Sequence, residues 1–200
     1  MANLSLSALC INARGNKTAT LLDGSQRLVQ TFAQPARCLF GPSNFDKDES
    51  AARQGIPFEL TQEMSEFFTK LDVWAKQYIE QESERLLGKP LTKEQVEQGY
   101  VSCVKESPGK PPLLKLKINM AHSAKPCRAW HPDGSEAPWP QDWALPFQIR
   151  IKVSHLWMMG GAPRAEFGFV CLLEDAMPQR VGACVPLRKT LIRLIENHYV

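Results

Sequence analysis

Two hundred residues suffice for one domain with a substantial core, with or without appendages. A content of 44% hydrophobic and 22% charged residues is that of a globular chain and excludes the strong compositional bias of fibrous or disordered proteins. The net charge of +3 is unevenly spread: residues 1–100 hold 11 Lys and Arg against 13 Asp and Glu, and residues 101–200 hold 13 against 8. A basic second half suits a polyanionic partner without requiring one.

In chain order, Leu4–Ile11, Thr18–Leu22, Arg27–Ala33 and Pro35–Phe40 read as short strands, interrupted by Arg14-Gly15-Asn16-Lys17, Asp23-Gly24-Ser25 and Gly41-Pro42-Ser43-Asn44. Strands and turns this closely spaced predict a small sheet or barrel. Residues 43–58, with the acidic cluster Asp46, Asp48, Glu49 and the breakers Gly55 and Pro57, read as an exposed loop. The spacing of Met64, Phe67, Phe68, Leu71, Trp74, Ala75, Tyr78 and Ile79 then predicts a helix over 61–87. Thr61 is its N-cap, and Gly88 and Pro90 stop it. Its aromatic stripe is core, packed against an open end of the barrel. Thr92-Lys93-Glu94-Gln95 has capping-box form and opens a shorter helix to about Gln98.

Tyr100–Lys105 resembles a strand, and Pro108–Pro112 a turn or rigid connector. Leu113–Met120 is a second strand, with Leu114, Leu116 and Ile118 on one face and Lys115 and Lys117 on the other. Residues 121–146 form a long loop that keeps Trp130, Trp139 and Trp143. Two of these pin it to the body, while Trp130, between Arg128 and His131 and near Lys125, is placed to meet a ligand. Phe147–Leu173 follows as a hairpin broken at Gly160-Gly161-Ala162-Pro163. Phe147, Ile149, Ile151 and Val153 feed the core, and Arg150 and Lys152 face outward with Trp157, Phe167 and Phe169 close by. Flat aromatics among cations suit splayed bases and phosphates, as on a single-stranded nucleic-acid platform. The same pattern also fits an ordinary amphipathic hairpin. Pro186–Val200 closes the chain as a helix with an apolar stripe, either capping the barrel or serving a partner subunit.

The six cysteines are scattered without a CxxC pair, and neither a signal segment nor an apolar run of membrane-spanning length occurs. The expectation is a reducing intracellular compartment, free thiols and no membrane contact. No cofactor is expected: Gly160-Gly161 lacks the setting of a phosphate loop, and no nucleophile elbow or metalloprotease signature occurs. His122, Cys127 and His131, with Cys103 as a distant fourth ligand, match no standard zinc spacing.

Four stretches carry a family resemblance: QRLVQTFAQPARCLFGPSNF, FFTKLDVWAKQYI, YVSCVKESPGKPPLLKLKI and IRIKVSHLWMMGGAPRAEFGF, together spanning about residues 26–173. In element order and character they resemble the single-stranded DNA-binding proteins of tailed phages and large DNA viruses. The resemblance implies a mainly β fold with helices (α+β): one OB-like barrel over residues 1–200, with a long inserted helix, a C-terminal helix and exposed loops near 43–58 and 121–146. It implies a non-catalytic, sequence-tolerant protein that sheathes single strands during DNA replication or recombination. The partner is single-stranded DNA, or RNA, and the final helix offers a homodimer contact. Lys115, Lys117, Arg150, Lys152, Trp157, Phe167 and Phe169 are the basic and aromatic strand residues so implied; Lys125, Arg128, Trp130 and Arg164 complete the candidate site. Some phage members end in an acidic tail, whereas Asn197, His198, Tyr199 and Val200 carry no carboxylate side chain. The competing readings are a protein-interaction or virion structural module, and a metal-dependent nucleic-acid enzyme built on His122, Cys127 and His131.

Overall fold

The computed structural model describes residues 9–13, 18–23, 26–43, 50–159 and 165–179. The fold is mixed α+β, a multi-stranded sheet with one long helix. Five short strands come first: β1 (Leu9–Ala13), β2 (Thr18–Asp23), β3 (Gln26–Arg27), β4 (Val29–Thr31) and β5 (Ala36–Arg37). Then follow β6 (Arg53–Glu59), helices α1 (Gln62–Leu87) and α2 (Lys93–Gly99), β7 (Tyr100–Val101), β8 (Val104–Ser107) and β9 (Lys110–Asn119). The chain continues through β10 (Arg128–Trp130) and β11 (Glu136–Ala137) into the long pair β12 (Pro146–Met159) and β13 (Glu166–Pro178).

Several sequence expectations change: Tyr100–Lys105 is split between β7 and β8, and the 121–146 loop holds β10 and β11. Residues 53–58 are strand rather than loop, because Gln54, Ile56 and Phe58 alternate into the core while Gly55 and Pro57 face out. Strand β9 also begins earlier than expected and takes Pro111 and Pro112 into its first half, leaving Pro108 and Gly109 as the turn. The stretches Asn44–Glu49 and Pro186–Val200 lie outside the described residues, and the final helix with them.

Helix α1 forms where its caps dictate. The Thr61 side chain accepts the Met64 N–H at 3.2 Å, and Gly88, at φ 72, donates its N–H back to Glu84 at 2.8 Å. Met64, Phe67, Phe68, Leu71, Ala75 and Ile79 form its buried stripe. Phe67 meets Phe32 of the sheet edge to face at 5.6 Å, so helix and sheet share one core. At the far end of α1 buried Ser83 accepts the Leu91 N–H at 2.9 Å, tying the turn before α2. The α2 capping box at Thr92 and Gln95 is present.

The sheet is organised on β12 and β13, which pair antiparallel from Phe147↔Pro178 to Met159↔Glu166. The other edge of β12 takes β5, β4 and β2; the other edge of β13 takes β10, β9 and β7, all parallel. Strand β9 carries β6 and β8 antiparallel. The sheet does not close into a true barrel, because among the described residues the seam between the segment after β5 and β6 holds only the bridges Cys38↔Phe58 and Ser43↔Gly55. Pro57 accounts for the gap. Its carbonyl accepts Leu39 N–H at 3.4 Å, so its nitrogen faces the same seam and has no hydrogen to give.

Two register shifts interrupt the β12–β13 pair. Ser154 is an extra residue on β12 and Glu174 an extra residue on β13. In a regular strand Glu174 and Asp175 would face opposite ways; the bulge brings both carboxylates to the side of Arg150 and Lys152. Asp175, 3% exposed, accepts from Arg128 Nε at 3.1 Å, Trp130 Nε1 at 2.9 Å and Arg150 Nη1 at 3.2 Å. Glu174 pairs with Lys152. The four described cysteine thiols, Cys38, Cys103, Cys127 and Cys171, are free and buried, with Cys103 Sγ 3.5 Å from Cys171 Sγ.

The ion network makes Asp175→Ala expensive. Removing the carboxylate leaves the buried Arg150 guanidinium only Glu174, 4.0 Å away and shared with Lys152, and should cost about 3–5 kcal/mol, whereas the double change Arg150→Met with Asp175→Leu should cost far less. Thermal melts of the two variants separate the outcomes. At Gly168 an added Cβ would stand 2.3 Å from the Val101 carbonyl oxygen and 3.3 Å from the Trp157 ring. Gly168→Ala should therefore lower stability by about 1–3 kcal/mol, read as a denaturant midpoint moved at constant slope.

Candidate nucleic-acid interface

The outer face of β6 and β9 is set by their register. Arg53↔Asn119, Gly55↔Lys117, Pro57↔Lys115 and Glu59↔Leu113 face outward, while Ile56 and Phe58 turn inward with Leu114, Leu116 and Ile118. Arg53, Lys115 and Lys117 are exposed. Gly55 and Pro57 raise nothing tall beside the two lysines, so the floor between them and the next segment is low.

That next segment runs from Leu39 to Ser43. Ser43 and Gly55 exchange backbone hydrogen bonds at 2.8 and 2.7 Å, which fixes it along the free edge of β6. Phe40 stands out from it with 76% of its surface exposed. Gly41, at φ 66, backs onto Trp143 with only 3.6 Å between that ring and where its Cβ would be. Trp143 in turn packs on Phe147 at 5.0 Å, so Phe40 is presented from a turn seated on the core. The segment that carries the exposed Phe40 thus runs on one side of the Gly55–Pro57 floor, with Lys115 and Lys117 on the other and Arg53 at one end.

Arg53 is held in place. Its Nε donates to Asn119 Oδ1 at 3.0 Å, and Asn119 Nδ2 donates to the Lys125 carbonyl at 2.8 Å. The second bond also brings Lys125, exposed, to the Arg53 end of the face. Among the described residues Arg53, Lys115, Lys117 and Lys125 make no ion pair. Four cations on one side of a sheet, with Glu59 as the carboxylate at the far end of β6, attract a polyanion.

Of the residues singled out from the sequence, Lys115, Lys117 and Lys125 gather here and the others do not. Arg150 is buried against Asp175, and Lys152 is half-buried against Glu174. Both have the outward phase of the strand, but the β13 bulge neutralises them. Phe167 and Phe169, 1% and 5% exposed, belong to the core, in register with Met158 and Leu156. Trp157 lies on the opposite face of the sheet, half-buried, with its ring over Gly168. The expected grouping of Trp157 with the two phenylalanines fails because the Ser154 bulge shifts the alternation of β12 by one residue. Trp130 is half-buried and bonded to Asp175, with the Arg128 guanidinium 5.0 Å from its ring centroid. Arg164 lies outside the described residues.

Trp143 is buried and Trp139 meets it edge to face at 5.8 Å, so these two pin the 121–146 loop. The metal reading finds no site: among the described residues no three His, Cys, Asp or Glu side chains converge. His122 bonds the Ser50 carbonyl at 3.0 Å, and burial pushes the Cys127 thiol pKa well up, away from the thiolate a metal needs. Sequence reasoning missed Phe40 and Arg53. An aromatic immediately before Gly41-Pro42 was the available signal, since a turn leaves such a ring little core to enter.

No family model and no curated protein matches the sequence. Among solved structures, the chain is similar to the single-stranded DNA-binding protein of bacteriophage Enc34 in complex with single-stranded DNA. The identity is 9% and the TM-score 0.46, over 88% of this chain and 97% of that one. A C-terminal truncation of the Enc34 protein gives 10% identity and a TM-score of 0.45, over 88% and 98%. The single-stranded DNA-binding protein gp2.5 of bacteriophage T7 gives 13% identity and a TM-score of 0.46, over 78% and 93%. These scores are too low to establish a shared fold.

Proposed function

We propose that the protein is a non-catalytic, sequence-tolerant binder of single-stranded DNA, acting in replication or recombination, and that the outer face of β6 and β9 holds the strand. The observation that carries this reading is that β6, low at Gly55 and Pro57, lies between the segment bearing the exposed Phe40 and the strand bearing Lys115 and Lys117, which make no described ion pair. A single strand presents phosphates, which need cations, and splayed bases, which need a flat apolar partner; this face offers both within one strand-width. Lys115 and Lys117 lie about 6.8 Å apart along the strand, so each can meet its own phosphate.

The strand order supports the same reading. Residues 28–38, then β6, β9, β13 and β12, and back to 28–38, follow one another around the core, with the Pro57 seam as the weak join. We take this as a partly open OB-like barrel. In that architecture the second and third strands and the loop between the first and second bind oligonucleotides. Here those are β6, β9 and the segment with Phe40.

Changing Lys115 and Lys117 to Ala together should weaken binding to oligo-dT and to mixed-sequence strands alike. It should also flatten the dependence of log K on log salt by about 1.4, or about 0.7 for each phosphate no longer neutralised. The Arg150→Met change should leave that slope untouched. Salt-titrated fluorescence binding measures both, and an unaltered slope in the double lysine variant overturns the reading. Phe40→Ala should cost about 1–3 kcal/mol of binding at an unchanged salt slope, and should leave the melting transition in place because the ring contributes little to the core. Equal affinity for wild type and Phe40→Ala would remove the ring from the site. Parallel titrations with single-stranded DNA, RNA and duplex test the choice of DNA.

A further inference from the structure

The outer face of the sheet is continuous from β6 to β12. One row across it reads Gly55, Lys117, Leu172 and Lys152, each residue in register with the next. The following row begins with Arg53 in register with Asn119, whose carbonyl accepts the Cys127 N–H at 3.0 Å and so sets β10 alongside β9. Arg128, one residue on, is in register with Asp175, and Asp175 with Arg150. Arg128 therefore stands in the same row as Arg53, two ladder positions or about 6.8 Å beyond the Lys117 row.

Within β10, Ala129 is 4% exposed and turns into the core, which leaves Arg128 and Trp130 together on the outer face. The Arg128 guanidinium carbon lies over the Trp130 ring, 5.0 Å from its centroid. One buried carboxylate fixes both members of this stack: Asp175 accepts from Arg128 Nε at 3.1 Å and from Trp130 Nε1 at 2.9 Å. The Arg128 side chain still keeps 29% of its surface exposed. A guanidinium oriented in this way is a preorganised plane rather than a loose charge.

We propose that the stack of Arg128 on Trp130 is a platform for a nucleobase of the bound strand, placed just past the Arg53 end of the face that holds Phe40, Lys115 and Lys117. The inference rests on the nucleic-acid reading of that face and extends the strand's path onto β10. From Lys115 to Asn119 that face spans only about 14 Å, whereas OB folds engage about 4–16 nucleotides of single strand, so a bound strand runs past its end.

A base fits this place better than a phosphate does. Arg128, Arg150 and Lys152 already face Asp175 and Glu174, and the exposed Glu136 stands across from Trp130 in register. A phosphate would meet three carboxylates there. A neutral base needs no counter-charge, and its π-face stacks on a guanidinium plane as it does on an aromatic ring.

The test compares oligo-dT of four and of twelve nucleotides on the full chain at low salt. Affinity is read by fluorescence anisotropy of the labelled oligonucleotide, and the indole N–H signals are followed by NMR. The Trp130 signal is assigned by its loss in Trp130→Phe. It should move when the wild-type protein is saturated with the longer oligonucleotide. Arg128→Lys keeps the charge and removes the plane. It should weaken binding of the longer oligonucleotide by about fivefold or more and of the shorter by less than about twofold, at an unchanged salt slope. Equal loss at both lengths, with a lowered melting transition, makes the stack a structural tie only and overturns the platform. So does an unshifted Trp130 indole in protein saturated with the longer oligonucleotide; intact Lys115 and Lys117 effects in that case leave the binding face standing. Absence of oligonucleotide binding overturns both.

Discussion

The antiparallel pairing of β12 with β13, and the two residues that interrupt it, decide which side chains of this protein meet water. Without Ser154 and Glu174 the two strands would alternate uniformly from end to end. With them, Ile149, Ile151 and Val153 join Leu156 and Met158 on one continuous inner surface, opposite Phe167, Phe169, Cys171 and Leu173. The helix, the β6–β9 pair and the tryptophan-pinned loop all close over that surface. A single extra residue on each strand thus does what no change of composition would do.

Charge follows the same logic. Arg-x-Lys on β12 and Lys-x-Lys on β9 look alike in the sequence, and their fates are opposite. The neighbours of the first are Glu174 and Asp175, brought to one side by the bulge, and its cations become internal ties among β10, β12 and β13. The neighbours of the second are Gly55 and Pro57, which offer no carboxylate and little height. Electrostatics available to a partner is therefore a property of what stands beside a cation, and net charge alone does not locate it.

Where local chemistry is sufficient, the sequence was readable. Thr61, Gly88 and the apolar spacing between them define α1, Thr92 and Gln95 define the start of α2, and the Leu114-Leu116-Ile118 alternation defines the face of β9. Strand β6 was not readable, because Gly55 and Pro57 are strand-breaking residues that only its position beside a weak seam tolerates. The site was half readable. Lys115, Lys117 and Lys125 could be named from one strand and one loop, but Phe40 and Arg53 join them only through pairings between distant segments. Phe167 and Phe169 were misplaced because the regular alternation of Phe167, Phe169, Cys171 and Leu173 does not say which face of the strand meets the core, and Trp157 because a bulge leaves no mark in hydrophobic periodicity.

The insertion of α1 and α2 between β6 and β9 has a bearing on how the chain folds. These two strands pair directly, yet residues 60–109 must loop back before the first pairing forms. Closing that span is entropically unfavourable, whereas α1 carries its own caps and can form from local contacts in the time of a helix–coil transition. The helix then acts as a strut that shortens the effective loop and delivers β9 to β6. Until it does, both strands show unpaired backbone edges, the segments most prone to join another chain. The proposed binding surface is thus among the last parts of the molecule to assemble.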